Sequence, residues 1–409
     1  MLERKRKLDC ANGREKADLV LKNGNVLNVF TEEVLKADVA ICGDTIVGVG
    51  EYEGKEEIDC TGKYLVPGFI DAHMHIESCM AAPGELAKVL AKAGTTTIIA
   101  DPHEIVNVSG TKGMDYFLKC AAKLLVNVFF MVPSAVPATD VETNGCGEFL
   151  ASDMMKYVDN ARVLGLGETM RFMECCEGEK RMADKLELFA KKHIDGHAPG
   201  IRGKEVQAYR LAGVENDHEC STAEEVLDKL RAGLHIYVRE GSGAKNLETL
   251  IKTMLDAGVC LDRCAFCTDD KHVEEIRKEG HISTCIRKAI ALGVPVAKAY
   301  KMGSYQAAEF YGLKNYGAIG AGYRADIVFL DDLEQVRPLD VMKDGRILTE
   351  EDYAKDYSVP VPDELLHTVH VGEVTKEKIR LSCDGKTDVI QMNPHQIVTT
   401  HLVEEVPTE

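Results

Sequence analysis

The chain has 409 residues, two to three times the commonest domain size, so a large domain with an accessory one is the natural expectation. With 45% hydrophobic and 28% charged residues it has ample core material and is not a mainly disordered chain. Its 67 acidic residues against 49 basic ones, a formal charge of −18, disfavour nucleic acid as a partner, and no run approaches about eighteen apolar residues, which argues against a membrane span.

The first twenty residues are charged and lack the apolar core of a secretory leader, so the expected compartment is the cytoplasm. The fourteen cysteines are then reduced thiols rather than a disulfide framework. Cys175-Cys176 and the group Cys260, Cys264 and Cys267 have a spacing that tempts a metal reading. The second group lies where a buried strand is expected, and free cysteine packs as a small hydrophobe, so core packing is the preferred reading.

Residues 1–66 are strand-like, with β-branched runs broken by Asn-Gly, Gly-Asp and Thr-Gly turn signals, and form the first part of a small β-sandwich domain. Residues 67–312 alternate short apolar strands with helical segments. Eight strands, ending in turn at VPGFIDAH, TTTIIADPH, VNVFFMVPS, ARVLGLGE, KHIDGHAPG, AGVENDHE, LHIYVREG and CAFCTDDKH, predict an α/β fold of the (β/α)8 TIM-barrel type, whose usual size is about 250 residues. A doubly wound sheet would need a GxGxxG turn after the first strand, which is absent. Residues 313–350 are again strand-like and are expected to return and complete the sandwich. Residues 351–409 read as the start of a C-terminal region that is truncated.

In such a barrel the chemistry sits where strands end. Strand one ends in His73-Met74-His75, and alternate residues of a strand share a face, so both imidazoles can reach one metal. Strand two ends in Asp101-Pro102-His103-Glu104, strand four in Gly167-Glu168, and strand five in Asp195-Gly196-His197. Strand six ends in Asp217-His218-Glu219 and strand eight in Thr268-Asp269-Asp270. Each has an ordinary explanation alone: Asp269-Asp270 can cap a helix, and Glu168 can pair with a nearby cation. Six such endings on one rim are not explained that way. The zinc-dependent nucleobase deaminases that use HxE and PCxxC are excluded, because His75-Ile76-Glu77 has no downstream Pro-Cys partner.

The runs PGFIDAHMHIES, ADPHEIVNVSG, DGHAPGIRGKEVQAY, AGVENDHECSTAEE, VREGSGAKNL, TDDKH followed by GHI, and GAIGAGYRADIV resemble the metal-dependent amidohydrolases and, within them, the adenine deaminase family, over nearly the whole chain. The resemblance implies hydrolysis of adenine to hypoxanthine and ammonia, in purine salvage or adenine catabolism, by a hydroxide bridging two divalent metal ions and attacking C6. It assigns the metals to His73, His75, Glu168, His197, His218 and Asp269, with Glu168 where many relatives carry a modified lysine. Manganese or iron stands ahead of zinc as the cofactor. The catalytic set is Asp269, Glu168, His103 and Glu104: Asp269 shuttles the hydroxide proton, and His103 or Glu104 orients or protonates the purine. From their position on the rim, Asp101, Ser134, Arg239 and Glu240 are candidates for substrate binding, with structural roles the equal alternative. A homo-oligomer is expected by analogy. The alternatives are a hydrolase of another cyclic amidine or amide, and a metal-binding but catalytically silent barrel.

Two departures from the family accompany the resemblance. After Glu168 the chain reads Thr169-Met170-Arg171-Phe172, where the family usually has an aromatic residue and Pro-Gly-Val. The family also usually continues past VEEVP into a further domain, whereas this sequence ends at Glu409.

Overall fold

The computed structural model describes residues 2–405 except 369 and 384. Its first element departs from the strand-like reading: Leu2–Ala11 is a helix. Being polar around most of its surface, it shows no amphipathic stripe in the sequence. It is supported instead by the i,i+4 ion pairs Lys5–Asp9 and Lys7–Glu3, and it seats Cys10 in a small apolar cluster with Ala17, Val20, Ala40, Cys42 and Val47.

Strands Ala17–Asn28, Glu33–Cys42, Thr45–Gly50, Gly54–Asp59 and Tyr64–Pro67 then form a sheet that the chain leaves at Pro67 and rejoins after the barrel. Ile327–Leu330 pairs antiparallel with Tyr64–Pro67, Val328 opposite Val66, and is extended outward by Asp340–Lys343 and Arg346–Ile347. One edge of Ala17–Asn28 is shared: Gly54–Asp59 lies parallel to its first half and Tyr64–Pro67 to its second. Leu21, Val26, Ile41, Leu65, Ile327 and Phe329 make the core of this sheet.

The intervening chain supplies eight parallel strands: β1 (Phe69–Met74), β2 (Thr95–Ala100), β3 (Asn127–Val132), β4 (Val163–Thr169), β5 (His193–Gly196), β6 (Asn216–Asp217), β7 (His235–Arg239) and β8 (Cys264–Cys267). β1 to β5 form one sheet in chain order and β6 to β8 another. The two sheets meet at both edges. Asp269 N donates to His73 O at 3.0 Å and His75 N to Asp269 O at 3.1 Å, while Glu215 N donates to Ile194 O at 3.0 Å. Strands such as Thr95–Ala100 are buried throughout, as expected for parallel strands covered on both faces, which read as continuous apolar or β-branched runs. The covering helices include Pro83–Lys92, Thr111–Ala121, Lys180–Leu188, Ala223–Arg231 and Leu247–Asp256. The Ala223–Arg231 helix starts with a capping box: Thr222 Oγ1 accepts from Glu225 N, and Glu225 Oε2 accepts from Thr222 N at 2.9 Å.

All fourteen cysteines are free thiols, and Cys175, Cys264 and Cys267 are core residues. Cys260 departs from that reading; it is exposed because it belongs to the turn before β8, not to the strand. The last described segment is an antiparallel hairpin, Lys386–Met392 with Thr399–Glu405. No helix among the described residues is long and apolar enough to cross a membrane.

Candidate metal centre and active site

The strand ends bring His73, His75, Glu168, His218 and Asp269 together as buried side chains, with His103 and His197 half-buried beside them. Glu168, leaving β4, stands in the middle. Its Oε1 lies 3.1 Å from His73 Nε2 and 2.8 Å from His75 Nε2. Its Oε2 lies 2.6 Å from His197 Nδ1 and 3.8 Å from His218 Nε2. Asp269 Oδ1 closes the first group, 3.0 Å from His75 Nε2. Two donor groups that could each hold a cation therefore share this one carboxylate: His73, His75, Glu168 and Asp269, and Glu168, His197 and His218.

The donor set fits divalent ions on its own geometry. Two ligand atoms each about 2.1 Å from one ion stand about 3.0–3.5 Å apart, close to the spacings here. Glu168 Oε1, His73 Nδ1, both ring nitrogens of His218 and Glu219 Oε2 are buried without hydrogen-bond partners, an arrangement that costs stability unless something positive joins it. The electrostatics agree. Burial alone would lower the His73 imidazole, but Asp269 and Glu168 raise it to about 10. Burial would likewise raise the Glu168 carboxyl, but His75, His103 and His197 hold it well below the ordinary carboxylate range. The pocket attracts cations, whether protons or metals.

Behind the donors lies a supporting layer. His75 Nδ1 is hydrogen-bonded to Asp101 O at 2.8 Å, which fixes the ring so that Nε2 faces Glu168. Asp101 Oδ2 accepts from Glu168 N at 2.8 Å, and a side chain at Gly167 would strike that same oxygen, so glycine there leaves room for the Asp101 carboxylate against the β4 backbone. Burial, then Glu168, pushes the Asp101 carboxyl up to about 6. Asp269 has φ of 57°, a left-handed conformation that Asp tolerates better than most residues, and its backbone bonds to both His73 and His75 hold it there.

The remaining candidates separate into two groups. His103 and Glu104 stay on the open side: His103 Nδ1 is 3.5 Å from Glu168 Oε1, and Glu104 Oε2 is 3.6 Å from His75 Nδ1. Ser134, Arg239 and Glu240 have their polar atoms engaged. Ser134 Oγ donates to Glu168 O, Glu240 Oε1 accepts from Lys288 Nζ at 2.6 Å, and the fully buried Arg239 guanidinium holds Asp269 Oδ2 at 2.8 Å and also Glu219.

Two acids named in the sequence runs but given no role there also belong to the site, the buried Glu219 and the half-buried Glu77. Glu219 joins His218 and Asp269 in a further donor group. Glu77 Oε1 accepts from Ile105 N at 3.0 Å and tethers the first turn of the helix His103–Ser109, which carries His103 and Glu104; burial, then Glu104, pushes its carboxyl up to about 8. Both signals were present, as the residue after His218 and as the continuation of His73-Met74-His75 at the same alternation.

The amidohydrolase family pattern matches residues 64–348. The adenine deaminase of Desulfitobacterium hafniense is 46% identical over 97% of this chain and 69% of its own length. That of Clostridium acetobutylicum is 45% identical over 94% of this chain and 67% of its own. This chain belongs to the adenine deaminase family of amidohydrolases. At the level of fold, this chain resembles the atrazine chlorohydrolase of Arthrobacter aurescens, with a TM-score of 0.60 at 15% identity over 82% of this chain and 96% of that one. It also resembles the β-aspartyl dipeptidase of Fervidobacterium islandicum, with a TM-score of 0.58 at 18% identity over 83% of this chain and 98% of that one. The unusual loop after Glu168 is ordered by Arg171, which reaches Pro137 O at 3.2 Å and Asp140 Oδ1 at 2.6 Å and so ties the β4 loop to the β3 loop.

Proposed function

We propose that this chain hydrolyses adenine to hypoxanthine and ammonia at the barrel's strand-end cluster, with two divalent ions held by His73, His75, Glu168, His197, His218 and Asp269. The observation that carries the reading is the shared carboxylate: Glu168 turns one oxygen to His73 and His75 and the other to His197 and His218, inside a chain of adenine deaminase ancestry. Divalent ions in such a site supply a water acidic enough to lose its proton near neutral pH and a positive charge that stabilises the transition state.

The chain's own residues do the rest. Asp269 Oδ1 faces the donors, so it can take a proton from the attacking water and return it to the departing amine, while Arg239 on Oδ2 keeps the carboxylate from rotating away. The purine N1 must gain a proton as C6 becomes tetrahedral, and His103 and Glu104, at the open side, are placed to orient and protonate the ring. Asp101 holds the Glu168 backbone beneath them. Ser134 and Arg239 then act as positioning residues, and the Lys288-paired Glu240 is the least available of the substrate-side candidates.

Histidine and carboxylate donors without thiolate suit manganese or iron, which the family resemblance places ahead of zinc. The shared edge of Ala17–Asn28 supports reading the composite sheet as two leaves of a sandwich. Ammonia release from adenine, guanine, cytosine and cyclic ureides tests the substrate. Turnover confined to adenine supports the proposal; preference for another ring replaces it.

A further inference from the structure

Described segments after residue 350 touch the barrel at two places. Tyr116 Oη donates to Val359 O at 3.4 Å and Lys112 pairs with Glu364 at 3.5 Å on the β2 side, and the turn of the Lys386–Met392/Thr399–Glu405 hairpin then meets the loop after β7, where Lys245 N donates to His395 O at 3.1 Å. Next to that contact, Asn246 Nδ2 donates to Gln396 Oε1 at 3.1 Å. Asn246 is fully buried, and its Oδ1 accepts from Arg239 Nε at 3.2 Å and Nη2 at 2.9 Å. The Nη1 of Arg239 reaches Asp269 Oδ2 at 2.8 Å and Glu219.

We propose that Gln396 is a positioning residue for the reaction, acting through a relay from the C-terminal hairpin: Gln396 to Asn246 to Arg239 to Asp269. A carboxamide has one accepting and one donating end, and a guanidinium can only donate, so Arg239 demands the Asn246 oxygen and leaves its NH2 pointing outward. With no acceptor there, the buried NH2 is orphaned, and Asn246 gains by turning away from Arg239, loosening the grip on Asp269. The acceptor on Gln396 removes that alternative. The hairpin thereby becomes part of the active-site scaffold, although among the described residues its strands pair with each other alone. This inference deepens the adenine hydrolysis reading and rests on it for the turnover readout alone.

The test compares Gln396→Met, which keeps length and loses the acceptor, with Gln396→Glu, which keeps an accepting oxygen. Each is prepared in the full chain, loaded with cobalt as a visible probe of the metal centre, and assayed on adenine. Gln396→Met is expected to lower kcat about fivefold with little change in KM and to shift the cobalt absorption, while the melting temperature holds and Gln396→Glu restores both signals. A Gln396→Met protein with wild-type kcat and spectrum overturns the relay, as does an equal loss in Gln396→Met and Gln396→Glu. If wild-type protein binds cobalt but leaves adenine untouched, the parent reading fails, and the spectra of the two variants still decide the relay.

Discussion

Glu168 has one carboxylate oxygen for each half of the donor set, so an amide at that position presents a neutral oxygen to one half and an N–H to the other. Glu168→Gln is therefore expected to lower bound metal and turnover together, as read by elemental analysis beside ammonia release; full activity in that variant would remove Glu168 from the bridging role. Asp269→Asn keeps an accepting oxygen but cannot take a proton. A variant that retains its metals should lose kcat by about a hundredfold or more with a smaller change in KM. At this scale the chain was readable wherever a ligand type stood at a strand end: His73 and His75 by alternation, Glu168, His197, His218 and Asp269 by position. It was less readable for partners. Nothing local to Ser134 or Arg239 says that a hydroxyl is spent on the Glu168 carbonyl or a guanidinium on Asp269, because those bonds join β3 to β4 and β7 to β8.

β6 contributes only Asn216 and Asp217 to the sheet, yet it carries His218. Its placement relies on Asp217, which accepts from Ala198 N at 2.9 Å and Glu219 N at 2.8 Å and pairs with Lys229 at 3.0 Å, both side chains fully buried. Lys229 also donates to Ala198 O at 2.7 Å, so one ammonium joins β6, the loop after β5 and the helix Ala223–Arg231. Lys229→Met leaves the Asp217 charge buried without its partner and should cost about 3–5 kcal/mol in urea unfolding; a loss below about 1 kcal/mol would show that water replaces the lysine. Elements with strong periodicity or caps, such as the Thr222-capped helix and the apolar run Thr95–Ala100, were legible. The helix Leu2–Ala11 was not, because its stability comes from charge pairs and from the cluster under Cys10 rather than from an apolar stripe.

Across the whole molecule, two long-range closures build the site's frame. The sheet closes when Ile327–Leu330 returns to Tyr64–Pro67, and the barrel closes when Asp269 bonds the backbone of His73 and His75. The second closure places proposed metal donors on the seam, which predicts that cation binding and barrel stability are coupled. Metal present at a hundred times its Kd should add about 2.7 kcal/mol per independent site, and chelation should lower the melting temperature by several degrees. An unchanged melting curve after complete metal removal would detach the donors from the seam. Strand order around the barrel was legible from alternation of elements, whereas the reach of the C-terminal hairpin to Asn246 was not, since about 150 residues of sequence separate the two partners.

Ammonia release from adenine by the metal-loaded chain, with metals per chain counted on the same sample, tests the central claim most directly. The shared-carboxylate site predicts turnover that rises with loading to about two ions per chain and disappears on chelation. Two ions per chain without ammonia would contradict the proposed activity, and ammonia release from metal-free protein would contradict the proposed site.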